Sequence, residues 1–252
     1  MASLQGRHAL VTGGGRGIGR AIAAALTKAG AAVTIVGRTE KVLADVVGEG
    51  DAGGYAVADV TDVKAVNGGI AGAVAARGPI DLLIANAGTA TAVPFAKATP
   101  DQFREMFELH VLGMLHPVQA VLGGMTERGF GRIVAVASIV GLRASPNVSP
   151  YTTAKHAMVG LMRSIAVETA GSGVTVNAVC PGYVDTELIR GPLDKLVEKG
   201  TSEKEALARF TSRVPVGRLV RPEEVAEAVL YFCSPGAAAT TGATLVIGAD
   251  GA

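Results

Sequence analysis

Seven short apolar runs alternate with longer stretches of helical periodicity, and this alternation does most to restrict what the chain can fold into. The runs cover residues 8–12, 32–36, 55–58, 81–85, 131–137, 174–180 and 244–248. Strands that read as nearly continuous apolar runs are buried on both faces. Such strands, each followed by a helix, predict a parallel sheet with helices on both sides. The order of elements is continuous over the 252 residues, so a single α/β domain over 1–252 is predicted rather than two small ones. With 49% hydrophobic residues, the chain can fill a large core. Gly30 is predicted to close the first helix and Gly78-Pro79 the third. That third helix, near 62–77, is weakened by Gly68, Gly69 and Gly72.

Charge and cysteine usage exclude several classes of function. Lys and Arg number 23 against 22 Asp and Glu, and no basic run stands out, so nucleic acid is not an expected partner. Residues 228–249 carry no charge and are long enough to span a bilayer. Pro235, Gly236, Gly242 and Gly248 interrupt them, and the segment reads as helix, loop and strand, with no membrane span. The first seven residues lack the apolar core of a signal peptide. Cys180 and Cys233 each follow an apolar run and read as buried free thiols. A cytoplasmic location is expected. His8, His116 and His156 do not cluster, so no metal site is expected.

Two stretches carry chemistry. The first strand, His8–Thr12, runs into Thr12-Gly-Gly-Gly-Arg-Gly-Ile-Gly19 and then a helical run. Glycines there permit a tight turn and let the backbone approach a pyrophosphate at a helix N-terminus. In the second stretch, Tyr151 and Lys155 are four residues apart and share a helix face, with Ser138 at the end of the fifth apolar run. An ammonium beside a phenol favours the phenolate, which is expected to lower the Tyr151 pKa. A tyrosine so tuned can exchange a proton with a carbonyl oxygen, and a strand-end hydroxyl can hold the same oxygen. Each stretch alone is also compatible with an ordinary turn or an exposed helix face.

Taken in order, these motifs resemble the short-chain dehydrogenase/reductase family over essentially the whole chain. The resemblance implies a doubly wound Rossmann fold with a seven-stranded parallel sheet. It also implies hydride transfer between NAD(P)(H) and a ketone or secondary alcohol. Thr12, Gly13, Gly17, Ile18 and Gly19 are similar to the family's cofactor turn. Asp59-Val60 resembles the adenine contact, and Asn86-Ala87-Gly88 the turn after the fourth strand. Pro181-Gly182, with Val184 and Thr186, resembles the nicotinamide-side loop. Ser138, Tyr151 and Lys155 correspond to the catalytic set, with Tyr151 and Lys155 also against the cofactor. Where the family pattern has an acid at the end of the second strand, this chain has Gly37-Arg38, and Arg16 lies in the glycine turn. Two guanidinium groups and no carboxylate suit a 2′-phosphate, so NADP(H) is favoured over NAD(H).

One position departs from the pattern: His110 stands where a relay asparagine is usual. Its backbone carbonyl could still serve, its imidazole could join the relay because it titrates near working pH, or the ring could only fill space. Residues 186–212 form the longest insertion, read as one or two short helices with an apolar underside, which the resemblance makes a substrate lid. The insertion and residues 213–218 are similar to aromatic polyketide ketoreductases and 3-hydroxybutyrate dehydrogenases. The proline-glycine-glycine element of the ketoreductases is missing, with Thr89-Ala-Thr-Ala-Val-Pro94 in its place. The expected small-molecule substrate is a 3-oxoacyl thioester or ester, or a hydrophobic ketone. Candidate pocket residues are Ile139, Val140, Leu142, Val148, Tyr183, Leu188 and Ile189. Arg143 and Arg190 could meet a carboxylate or coenzyme phosphate, or be solvated surface residues. Apolar stripes on the helices at 100–125 and 150–171 imply, with the resemblance, a homotetramer or homodimer. The alternatives are a non-catalytic nicotinamide-binding regulator on the same fold and an NAD-dependent hydroxyacyl or alcohol dehydrogenase.

Overall fold

The computed structural model describes residues 3–212 and 214–249. Met1, Ala2, Arg213 and residues 250–252 lie outside the described residues. Arg213 is the first residue of the 213–218 segment noted above.

Seven parallel strands form one sheet: β1 (His8–Thr12), β2 (Ala32–Gly37), β3 (Gly54–Val57), β4 (Leu82–Ala85), β5 (Gly131–Val136), β6 (Val174–Pro181) and β7 (Thr244–Ile247). Their order is β3-β2-β1-β4-β5-β6-β7. Chain progression therefore reverses beside β1, between β1 and β4, and a crevice opens at that switch point. The bounds differ from the apolar runs by one residue at several ends, because pairing rather than hydrophobicity decides where a strand stops. β3, for example, begins at Gly54, which pairs with Thr34.

Side chains of successive strand residues enter opposite cores, as a period of two requires. On one face, Leu10, Leu83, Ile133 and Val176 pack under α3 (Val63–Arg77), α5 (Gly113–Glu127) and α6 (Ser149–Glu168). On the other, Val11, Ile84, Val134 and Val179 pack under α1 (Gly17–Lys28), α2 (Glu40–Gly48) and α9 (Pro222–Cys233). The glycine-weakened α3 forms because its ends are fixed. Asp62 accepts hydrogen bonds from the amides of Lys64 and Ala65 at 2.8 and 3.1 Å, and Gly78 closes it at φ 82°.

Between α4 (Pro100–Phe107) and α5 the helix widens into a π-helical stretch, Glu108–Leu112, which periodicity alone does not distinguish from ordinary helix. Pi-bulges collect at functional positions, and this one carries His110. The 186–212 insertion folds as two helices, α7 (Glu187–Glu198) and α8 (Glu203–Thr211), with Leu193 and Ala206 buried beneath. The uncharged 228–249 segment is the end of α9, a 3-10 turn at Pro235–Ala237 and β7. No described helix is long and apolar enough to cross a membrane.

Candidate active site

The glycine turn lies between β1 and α1, and its shape is fixed by close approach to the β4 end. Gly13 has φ 65°, and a Cβ there would lie 2.8 Å from the Cα of Ala87. A Cβ on Gly19 would overlap the Gly13 carbonyl oxygen. Asn86 Nδ2 donates to the Thr12 and Gly13 carbonyls at 3.0 and 3.2 Å. The Thr12 hydroxyl accepts from the amides of Asn86 and Ala87 at 3.0 and 3.1 Å. Thr12 is thus buried beneath the turn as a tie between β1 and β4, outside the linings of the two cavities described next.

Two cavities meet at Gly13, Arg16, Gly88 and Thr89. The first, about 410 Å³, is lined by Gly37, Arg38, Asp59, Val60 and Ala87. The second, about 500 Å³, holds Gly17, Ile18, Gly19, Asn86, Pro181, Gly182, Val184 and Thr186 together with His110, Ser138, Tyr151 and Lys155. Every remaining residue predicted for catalysis or cofactor binding therefore lines one cavity or the other.

The cavities suit a dinucleotide. One end is a helix N-terminus with glycines that a side chain would obstruct, which is a cradle for pyrophosphate. The other end presents a hydroxyl, a phenol and an ammonium. Neither arginine of the expected phosphate site is idle. Arg38 lies 3.7 Å from Asp59, and Arg16 Nη1 donates to Glu187 at 3.1 Å. Both guanidiniums are largely exposed, so these pairs are weak and exchangeable. Asp59 is held below the usual carboxylate range, chiefly by the Thr61 amide and also by Arg38. No local sequence signal singles out Glu187, the partner that the structure gives to Arg16.

Burial dominates the proton affinities of the catalytic set. Tyr151 is pushed up to about 12 by burial, and a hydrogen bond from Ser138 acts in the opposite direction. This corrects the expectation that Lys155 lowers the Tyr151 pKa. Lys155 shares the helix face, but its Nζ donates to the Val136 carbonyl at 2.9 Å and lies 5.7 Å from the Tyr151 ring centroid. Burial brings Lys155 itself down to about 7. His110 is corrected as well: burial, with the Lys155 charge, holds it near 3, so its imidazole does not titrate near working pH. Its Nε2 lies 2.8 Å from the Thr89 carbonyl, and its ring meets Tyr151 edge-on at 5.3 Å.

Of the predicted pocket residues, Leu188 and Ile189 line the larger cavity. Ile139, Val140, Leu142, Val148 and Tyr183 lie outside its lining. Val140 is buried, Leu142 packs on the core, Val148 bridges to Val93, and Tyr183 stacks edge-on against Phe210. Arg190 is an exposed surface arginine, as one of its two expected readings had it, and donates two hydrogen bonds to Asp185 at 2.5 and 2.6 Å. Among the described residues no group of His, Cys, Asp and Glu could hold a metal, and Cys180 and Cys233 are free and buried.

A seven-stranded doubly wound sheet with a glycine turn and a crevice at its switch point is the architecture of dinucleotide-binding proteins. The chain belongs to the short-chain dehydrogenase family, whose model matches residues 7–195. It is 39% identical over 242 residues to the acetoacetyl-CoA reductase of Rhizobium meliloti (strain 1021), covering 95% of both chains. It is 39% identical over 254 residues to a putative ketoacyl reductase of Streptomyces coelicolor, covering 97% of both. The crystal structure of a tryptophan variant of actinorhodin polyketide ketoreductase with NADPH superposes with a TM-score of 0.90 at 38% identity, over 98% of this chain and 97% of that one.

Proposed function

We propose that the protein is an NADP(H)-dependent ketoreductase that reduces a 3-oxoacyl thioester to the 3-hydroxy product. The convergence of Ser138, Tyr151 and Lys155 on the same cavity as the glycine turn carries this reading. A bound nicotinamide supplies the hydride. The Ser138 hydroxyl holds the substrate oxygen, and Tyr151 gives its proton to that oxygen as negative charge develops there. Burial pushes the Tyr151 phenol up to about 12, so it carries its proton at neutral pH. Lys155, Asn86 and Thr186 would hold the nicotinamide half, and the amides of the glycine turn the pyrophosphate. Leu188, Ile189 and Val184 give the cavity an apolar wall, compatible with a short acyl chain.

NADP selectivity is supported by Gly37 in place of an acid and by Arg16 and Arg38 at the rim of the smaller cavity. A 2′-phosphate would draw both guanidiniums from their exposed carboxylate partners. The apolar groove between α4 and α6, lined by Phe103, Phe107, Leu112 and Ala154, supports a homotetramer or homodimer. The buried free thiols are compatible with a cytoplasmic location. The substrate reading is tested by comparing acetoacetyl-coenzyme A with a bulky aryl ketone at equal NADPH. A higher kcat/KM for the thioester is expected, and preference for the aryl ketone would reassign the protein to carbonyl reduction. In the same assay Arg38→Asp should move the NADPH/NADH preference toward NADH. An unchanged ratio would remove Arg38 as the selector.

A further inference from the structure

Part of the smaller cavity's wall lies beyond the end of the sheet. After β3, the sheet's hold on the chain ends at the Ala58 amide, which donates to the Gly37 carbonyl at 2.9 Å. Asp59 and Val60 then line the cavity. Asp59 closes a turn on itself. Its carboxylate accepts from the Thr61 amide and hydroxyl at 2.9 and 2.8 Å, and its carbonyl accepts from the Asp62 amide at 3.1 Å. The turn is seated against the helix that runs through the π-helical stretch into α5. Leu109 lines the same cavity. Gly113 gives Val60 room, since a Cβ there would lie 2.8 Å from Val60 Cγ2. His116 Nδ1 lies 2.9 Å from the Val60 carbonyl oxygen. These positions are spaced by four and three residues, as neighbours on one helix face are. A carbonyl only accepts, so His116 Nδ1 carries the hydrogen and donates it. Val60 is buried, and loss of the donor would leave its carbonyl without that hydrogen bond. His116 itself lines neither cavity.

We propose that His116 is a positioning residue for the adenosine half of the coenzyme, acting through the Val60 carbonyl. The hydrogen bond ties the Asp59–Asp62 turn to α5. It fixes the apolar face that Val60 presents to the cavity, and it keeps Asp59 within 3.7 Å of Arg38, the arginine expected to meet the 2′-phosphate. The inference rests on the NADP(H) reading of the smaller cavity. It assigns His116 no part in the chemistry at Ser138, Tyr151 and Lys155, so its effect belongs to coenzyme affinity and not to the rate of the chemical step.

The test combines three measurements: the Kd of NADPH from its fluorescence, the Kd of adenosine 2′,5′-bisphosphate by displacement, and kcat with acetoacetyl-coenzyme A at saturating NADPH. His116→Leu removes the donor and keeps apolar bulk. Both Kd values should rise by the same factor, about three- to ten-fold for one hydrogen bond, while kcat stays within about two-fold of wild type. His116→Asn sets an amide N–H near the place of Nδ1 and should recover most of the affinity. A ring that only fills space gives the opposite order, with Leu near wild type and Asn weakened, and that order overturns the proposal. So does a loss of NADPH affinity with the bisphosphate unchanged, or a fall in kcat with both affinities unchanged. Nitrogen-15 NMR of the wild-type protein provides a readout that no variant's folding can confuse. A hydrogen on His116 Nδ1 is expected, and a bare Nδ1 overturns the proposal. A wild type that binds NADPH and the bisphosphate but reduces no ketone refutes the ketoreductase reading alone, because the Kd values are still decided. A wild type that binds neither ligand overturns both.

Discussion

Lys155 is buried and forms no ion pair among the described residues, so the folded state carries a cation that water would solvate better. Removing that charge should stabilise the fold and abolish catalysis together. Lys155→Met is expected to raise stability by roughly 1–4 kcal/mol at neutral pH, read as an increased Tm, with activity lost. A lowered Tm would mean that the Val136 contact outweighs the desolvation. The pH dependence follows from the same cause. The folded pKa of about 7 lies below the ordinary 10.5, so between these values the unfolded chain binds the extra proton and stability rises with pH. Cys180 and Cys233 are raised above 9.0 and act in the opposite sense beyond that pH. Wild-type stability should therefore climb between about 7 and 9, and Lys155→Met should flatten that rise. His110 is held near 3 against an ordinary 6.5, so its contribution is lost as pH falls through that interval. At this scale the identities of the site residues could be read in the sequence, since spacing alone brings Tyr151 and Lys155 to one helix face. Their proton affinities could not, because burial is set by Ile139–Gly141, α6 and the sheet together.

Among the elements, the glycine turn and the lid meet through one exposed pair, Arg16 and Glu187. They are 171 residues apart in sequence, so no local pattern announces the contact. Helix α7 begins at Glu187, and a coenzyme phosphate that recruits Arg16 must compete with that carboxylate. Glu187→Gln should lower the KM for NADPH about two- to five-fold, an effect of the size expected for an exposed ion pair. An unchanged KM would show that Arg16 does not meet the phosphate. The π-helical stretch was equally illegible, because Phe107-Glu-Leu-His-Val-Leu-Gly113 keeps helical periodicity through the bulge. Gly88 is the trace it leaves: a side chain there would strike the His110 ring. Gly88→Ala is expected to displace His110 and cost both stability and turnover, and a crystal structure of the variant with an unmoved ring would refute this. The turns and caps were the legible part. Gly30, at φ 94°, follows the end of α1, and Gly78, at φ 82°, ends α3 despite its internal glycines.

For the molecule as a whole, the architecture was readable because strands buried on both faces leave few alternatives to a parallel sheet between two helix layers. Strand order was not legible in the apolar runs; it comes from the pairing of the folded sheet. Association is less direct. The groove between α4 and α6 leaves Phe107 43% exposed beside Phe103 and Leu112. Phe107→Glu should convert the expected tetramer or dimer into smaller species on calibrated size exclusion, and a wild type that already elutes as a monomer would contradict the association. The central claim is that the Ser138, Tyr151 and Lys155 cavity reduces a 3-oxoacyl carbonyl with NADPH. The most direct test is the initial rate of NADPH oxidation with acetoacetyl-coenzyme A for wild type and Tyr151→Phe. Steady turnover by wild type and a loss of about 10²- to 10⁴-fold in a folded Tyr151→Phe are expected. No turnover by wild type, or equal turnover by both, would contradict the account.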